Sequence, residues 1–142
     1  MKKITGIVGF KDLLLSEQAQ IHKPFTVSDD LHILFLRDVE KYQKIMVQMR
    51  GTVFNRLELC RKFQIDDKIS SSDFLVAGYS KIGEKFFTLL EGSFSFVLYD
   101  GREKKLYLYK DHVSSQPLYY YDDGKYLLFA DRLESFFQFG FI

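Results

Sequence analysis

Beyond residue 92 the chain sets bulky side chains at every second position, and that period limits what it can fold into. Ser93-Phe94-Ser95-Phe96-Val97-Leu98-Tyr99, Lys105-Leu106-Tyr107-Leu108-Tyr109 and Tyr126-Leu127-Leu128-Phe129 carry the pattern, which lines one face of a pleated strand. Asp100-Gly101 and Asp123-Gly124 punctuate it. Glycine accepts the positive φ of a type I′ hairpin turn, so residues 93–99, 105–109, 117–121 and 126–129 are predicted as an antiparallel meander. The chain has 15 Phe and 9 Tyr but no Trp. Aromatic rings on a pleated surface favour sheets that face another layer.

The earlier part of the chain mixes periods. Residues 4–10, 31–37 and 45–49 read as strands, and residues 11–30 as irregular or partly helical. Residues 54–63 turn to helical spacing, with Leu57, Cys60 and Phe63 on one face and Arg56, Arg61 and Lys62 outside it. Ser70-Ser71-Ser72-Asp73 offers hydroxyl and carboxylate caps for first-turn amides, so a helix is expected from residue 73 to about 81. Gly83 offers its stop, and residues 84–90 a short second helix. Residues 131–139 suggest a last aromatic helical turn, packed on the sheet or against a partner. Strands, then helices, then strands point to an α+β fold rather than an alternating parallel sheet.

Composition narrows the function classes. A chain of 142 residues fits a single domain over 1–142, large enough to withdraw about 68% of its unfolded surface from water. Twenty Lys and Arg stand against 19 Asp and Glu, so no broad basic field argues for nucleic acid or an anionic membrane. No run reaches the roughly 18 apolar residues of a membrane span. The lone Cys60 has no partner for an internal disulfide and reads as core filler in a reduced, cytoplasmic setting. His22, His32 and His112 are scattered, and neither a metal site nor a cofactor is expected.

Ordered motifs say more. Thr5-Gly6-Ile7-Val8-Gly9 opens the chain, Leu90-Glu91-Gly92-Ser93-Phe94-Ser95-Phe96-Val97-Leu98-Tyr99-Asp100 begins its last third, and Gln116-Pro117-Leu118-Tyr119-Tyr120 and Phe129-Ala130-Asp131 follow. In order and spacing they resemble the asparagine synthetase glutaminase domain of the class II glutamine amidotransferases. Those run "C-G-I-x-G", "L-x-G-x-F-A-F-A-x-Y-D", "K-P-L-Y-Y" and "F-A-S-E". The resemblance covers residues 5–10 and about 48–137, and implies the amino-terminal nucleophile hydrolase fold: an αββα sandwich of two antiparallel sheets between helices.

The resemblance also makes the departures interpretable. Active members use a terminal cysteine whose own α-amine serves as base. Thr5 stands at that position behind Met1, Lys2, Lys3 and Ile4, so it is expected to act only if processing exposes it. The family's "N-G-E-I-Y-N" run is Arg50-Gly51-Thr52-Val53-Phe54-Asn55 here. Gly51 retains an oxyanion-hole amide, Arg50 replaces the second donor with a charged fork, and Thr52 replaces the Glu near the glutamine amine. In "S-D-[ST]-E", Ser71 takes the place of the Asp that holds the ammonium. No counterpart of "H-R-G-P-D" occurs among residues 11–48. Arg50, Thr52, Asn55, Ser71 and Asp73 are thus the expected lining of an altered ligand pocket.

Three functions are compatible with this pattern. The first is a noncatalytic glutaminase-like module that binds or stabilises a separate asparagine-synthetase-like, ATP-dependent amide- or peptide-forming synthetase. The second is an active glutaminase supplying ammonia through a processed Thr5. The third is a peptide-recognition module serving a peptide-modifying enzyme. No "S-G-G-x-D-S" phosphate loop occurs, so adenylation is expected elsewhere, and a homodimer is left open.

Overall fold

A computed structural model describes residues 5–10, 25–26, 31–35, 40–42, 44–111, 116–122 and 126–133. Among these residues nine strands and three helices follow one another: β1 (Thr5–Phe10), β2 (Phe25–Thr26), β3 (Leu31–Phe35), β4 (Glu40–Tyr42), β5 (Ile45–Val53), α1 (Arg56–Phe63), α2 (Ser71–Ile82), α3 (Lys85–Thr88), β6 (Gly92–Asp100), β7 (Lys105–Lys110), β8 (Tyr119–Asp122) and β9 (Tyr126–Ala130). They form two antiparallel sheets, one in the order β2-β3-β1-β9-β8 and the other β4-β5-β6-β7. The α+β class and the paired antiparallel sheets agree with the sequence reading. The helices described all cover the four-stranded sheet. The helical layer expected over the other sheet lies outside the described residues.

The ladder between β5 and β6 organises the molecule. It pairs nine positions, from Ile45 with Asp100 to Val53 with Gly92. Alternation then sorts the side chains. Ile45, Val47, Met49, Phe94, Phe96 and Leu98 face the helices, where they meet Leu59, Cys60, Phe74, Leu75, Phe86 and Phe87. Met46, Val97 and Tyr99 face the other way and pack with Leu118 and Phe129 between the sheets. Each fully buried Phe is worth about 1.5–3 kcal/mol of transfer free energy. Ring geometry adds to that: Phe87 meets Phe96 edge-on at 4.8 Å, and Phe96 stacks on Tyr109 at 5.3 Å.

Caps and clamps hold the helical layer. The Ser70 hydroxyl accepts from the Asp73 amide at 3.1 Å, and α2 stops at Gly83, whose φ of +74° suits glycine. Arg56 donates to the Ile69 carbonyl and lies 5.2 Å above the Phe74 ring, stapling α1 to α2. Gly78 lets α2 lie against the Phe86 ring, into which a Cβ would intrude.

A second anchor joins α2 to the β6–β7 hairpin. Asp100 is 1% exposed, and a carboxylate so buried needs donors. It accepts from the Tyr79 hydroxyl at 2.6 Å and from the Arg102 amide, Nε and Nη2 at 2.9, 3.1 and 3.3 Å. Burial pushes its pKa up, but the hydrogen bonds from Arg102 and Tyr79 outweigh it and hold the carboxyl below its ordinary value. Burial, followed by donation to Asp100, pushes the Tyr79 phenol well above its usual range.

Several expectations need correction. Helix α1 buries Leu59 and Cys60, whereas Leu57 is 55% exposed and Phe63 half-buried. The helix starts at residue 56 rather than 54, and packing on the four-stranded sheet selects the Leu59–Cys60 side of it. Asp100-Gly101 does not form a two-residue turn: Asp100 pairs with Lys105, and the positive φ falls on Lys104. Asp100 is engaged by Arg102 and so opens a wider loop. The second helix shortens to α3. Asp123-Gly124 and most of residues 131–139 lie outside the described residues, as do most of residues 11–30. Among the described residues no helix is long and apolar enough to cross a membrane.

Two outcomes are expected. Gly78→Ala should overpack the Phe86 contact and lower stability by about 1–3 kcal/mol, read as a fall in the urea midpoint. Because the folded Asp100 pKa lies below the unfolded value of about 3.9, its contribution is present above that pH and is lost as pH falls through the folded pKa. A chemical-denaturation series at decreasing pH should show this acid loss, and Asp100→Asn should flatten it.

Candidate functional site

The far end of the β5–β6 ladder, away from Asp100, is polar on the face between the sheets. Met46 points there, so alternation sends Gln48 and Arg50 the same way, opposite Val97 and Ser95. Gln48 and Ser95 are fully buried and Arg50 half-buried. The five-stranded sheet answers with Asp131, the residue just past β9. Arg50 Nη1 lies 3.1 Å from Asp131 Oδ2, with the two side chains 18% and 1% exposed. This ion pair ties one sheet to the other.

Its location gives it meaning. Thr5 begins β1 opposite Ala130, the residue before Asp131. One corner between the sheets therefore gathers the backbone of Thr5, Asp131 and Arg50. Gly51 follows with φ +100°, and a Cβ there would strike the Ser93 carbonyl and come within 2.8 Å of Phe94 Cα. Only glycine fits. Phe94 gives its amide to the Asp111 carboxylate at 2.9 Å and accepts the Asp111 amide at 3.0 Å, which makes the buried Asp111 a structural hydrogen-bonding residue. Gln116 Nε2 donates to the Ser93 hydroxyl at 3.2 Å, and the Ser95 Oγ has no hydrogen-bond partner among the described residues.

The other sequence-derived candidates disperse. Thr52 is exposed on β5 opposite Ser93. Asn55 commits its amide at both ends, donating to the Leu89 carbonyl at 2.8 Å and accepting from the Glu91 amide at 3.0 Å. It clamps the start of α1 to the approach to β6. Ser71 Oγ lies 3.5 Å from Arg56 Nη1. Asp73 takes a hydrogen bond from Tyr42, which is the main cause holding its carboxyl below the ordinary value, with Ser70 adding to it against partial burial. The structure thus unites Thr5, Arg50 and Gly51, and places Ser71 and Asp73 with Arg56 and Tyr42.

Asp131 was not singled out from sequence. A signal existed, since it stands at the Ser of "F-A-S-E" while Arg50 stands at the Asn of "N-G-E". An ion pair stands where the motifs that the chain resembles carry two neutral residues. Chemically, a guanidinium bound to a carboxylate is a weaker donor to a developing oxyanion than an uncommitted amide. Among the described residues no group of three or more His, Cys, Asp or Glu is placed to hold a metal.

Comparison with known proteins fits this geometry. A family model for the glutamine amidotransferase domain matches residues 36–138. Among curated proteins, a Methanocaldococcus jannaschii protein assigned as glutamine-hydrolyzing asparagine synthetase 2 is 25% identical over 130 residues, covering 91% of this chain and 25% of its own. The glutamine-hydrolyzing asparagine synthetase of Zea mays is 35% identical over 77 residues, covering 53% and 13%. The chain thus spans about a quarter or less of these relatives. Glutamine phosphoribosylpyrophosphate amidotransferase from B. subtilis, solved with ADP and GMP, superposes with a TM-score of 0.60 at 12% identity, over 98% of this chain and 38% of that one. That likeness shows the amino-terminal nucleophile fold.

Replacing Arg50 by Asn should strand Asp131 without its guanidinium and cost about 1–3 kcal/mol. Adding Asp131→Ser should recover most of the loss. Denaturation midpoints of the two single variants and the double variant give the coupling, and a purely additive cycle would show that the pair carries no interaction.

Proposed function

Because the chain belongs to the glutamine amidotransferase domain family, in its class II branch with the amino-terminal nucleophile fold, we propose that it is a noncatalytic glutaminase-like module that supports a separate ATP-dependent amide- or peptide-forming synthetase. The Arg50–Asp131 ion pair carries this reading. It occupies the corner where active members keep a neutral amide donor, and it stands beside the backbone of Thr5. Serine at position 71 removes the carboxylate that would hold an ammonium, and Asn55 is bound to backbone at both ends. Glutamine would meet a filled oxyanion position and lack its charge clamps.

One observation favours the rival reading, an active glutaminase. Gly51 keeps the positive φ and the close approach that present a backbone amide at this corner. That route requires a free amine on Thr5, hence cleavage after Ile4. The named names of the relatives point to synthetases that hydrolyse glutamine, and such a synthetase is the partner proposed here. A peptide-modifying enzyme is the variant of the same proposal in which the synthetase acts on peptides.

Ammonia release from glutamine is expected to equal that of Thr5→Ala, both for the chain as expressed and for a form beginning at Thr5. Release that depends on Thr5 would refute the noncatalytic reading. Co-expression with an asparagine-synthetase-type enzyme from the same genome should yield a stable complex on size-exclusion chromatography, and independent elution of the two proteins would count against the partner.

A further inference from the structure

The end of the β5–β6 ladder opposite the Arg50 corner holds a cleft of about 430 Å³ between the β6–β7 hairpin and the α2–α3 junction. Asp100 and Ser95 are five residues apart on β6, so the cleft lies about 17 Å along the strand from the Arg50 corner. Its size is in the range of small-ligand sites, about 300–1,000 Å³. Nothing in the glutaminase reading uses it.

Its floor is built rather than incidental. Arg102 turns Nε and Nη2 toward the buried Asp100 carboxylate, and Tyr79 holds the second carboxylate oxygen. A guanidinium is a rigid planar fork of five donors, so fixing that edge directs the Nη1 edge away from Asp100. The Arg102 side chain is 51% exposed, which leaves that edge accessible. This is the arrangement that presents a second, preorganised donor pair to a planar carboxylate.

Charge selects among anions. Lys85, Arg102 and Lys105 line the cleft together with Glu84, Asp100 and Glu103, so the cations and anions balance. A phosphate dianion would enter a site of no net charge against two exposed carboxylates. A zwitterion carries no net charge and finds an opposite charge for each of its ends. Glu103 lies 3.5 Å from Lys105, and Glu84 stands across the cleft on the α2–α3 junction. We propose that this cleft binds a free α-amino acid, its carboxylate on the Nη1 edge of Arg102 and its ammonium on Glu84, at a site separate from the Arg50 corner.

The proposal stands whether or not the Arg50 corner turns over glutamine. Each proteinogenic L-amino acid is titrated into the full chain and followed by amide and arginine Nε–Hε resonances. At least one should give saturable shifts at Arg102, Gly83 and Lys105. Its methyl ester and its N-acetyl derivative should bind about tenfold more weakly or worse, as should the parent with Arg102→Lys or Glu84→Gln, since one charge-assisted contact is removed in each case. Glu84 is exposed, so Glu84→Gln decides the matter if Arg102→Lys disturbs folding. Absence of any saturable binder, shifts confined to Arg50 and Gly51, equal binding of the ester or N-acetyl derivative, or tighter binding of inorganic phosphate would each overturn it.

Discussion

The pairing of β5 with β6 fixes almost everything else, because a strand has only two faces and here both are buried. Once Val47, Met49, Phe96 and Leu98 go to the helices, Met46, Gln48, Arg50, Ser95, Val97 and Tyr99 must go between the sheets. Moving the register by one residue would send Gln48 and Arg50 into the Phe86–Phe87 cluster at prohibitive desolvation cost. The ladder therefore determines which layer is dry and which is polar. It also sets the two ends of the polar features apart, Arg50 at one and Asp100 at the other.

Much of this was legible in the sequence. Period-two aromatics predicted the four late strands but as one meander, whereas β6–β7 and β8–β9 are hairpins in different sheets; the Ser70 cap and Gly83 stop bounded α2 nearly to the residue. The α1 face was misread because Leu57, Cys60 and Phe63 match a helical stripe as well as Leu59 and Cys60 do, and only the sheet beneath chooses between them. The Asp100-Gly101 turn was misread for a related reason. Local turn chemistry favoured two residues, but Asp100 is claimed by Tyr79, which stands 21 residues away, and Arg102 folds back to join it.

The candidate site was legible only by halves. Arg50, Gly51 and Thr5 followed from motif order, and the structure brings their stretch of chain to one corner. Asp131 lay in a quoted motif without a role, since its role exists only opposite Arg50, 81 residues away. Asn55 shows the converse. Its place in a ligand-lining run suggested a pocket residue, while the three-dimensional path of the chain gives both ends of its amide to backbone groups that the sequence could not place beside it.

The coupling between positions 50 and 131 bears on how such a corner changes. A guanidinium between two sheets without a carboxylate, or a carboxylate 1% exposed without a guanidinium, each loses a charge-assisted contact worth about 1–3 kcal/mol. Either replacement alone is therefore worse than the neutral pair or the ionic pair. The two-sheet architecture tolerates both end states because the ladder on one side and the β1–β9 pairing on the other hold the backbone in place regardless of what fills the corner. The fold thus accommodates an ion pair between its sheets with every neighbouring strand pairing in place.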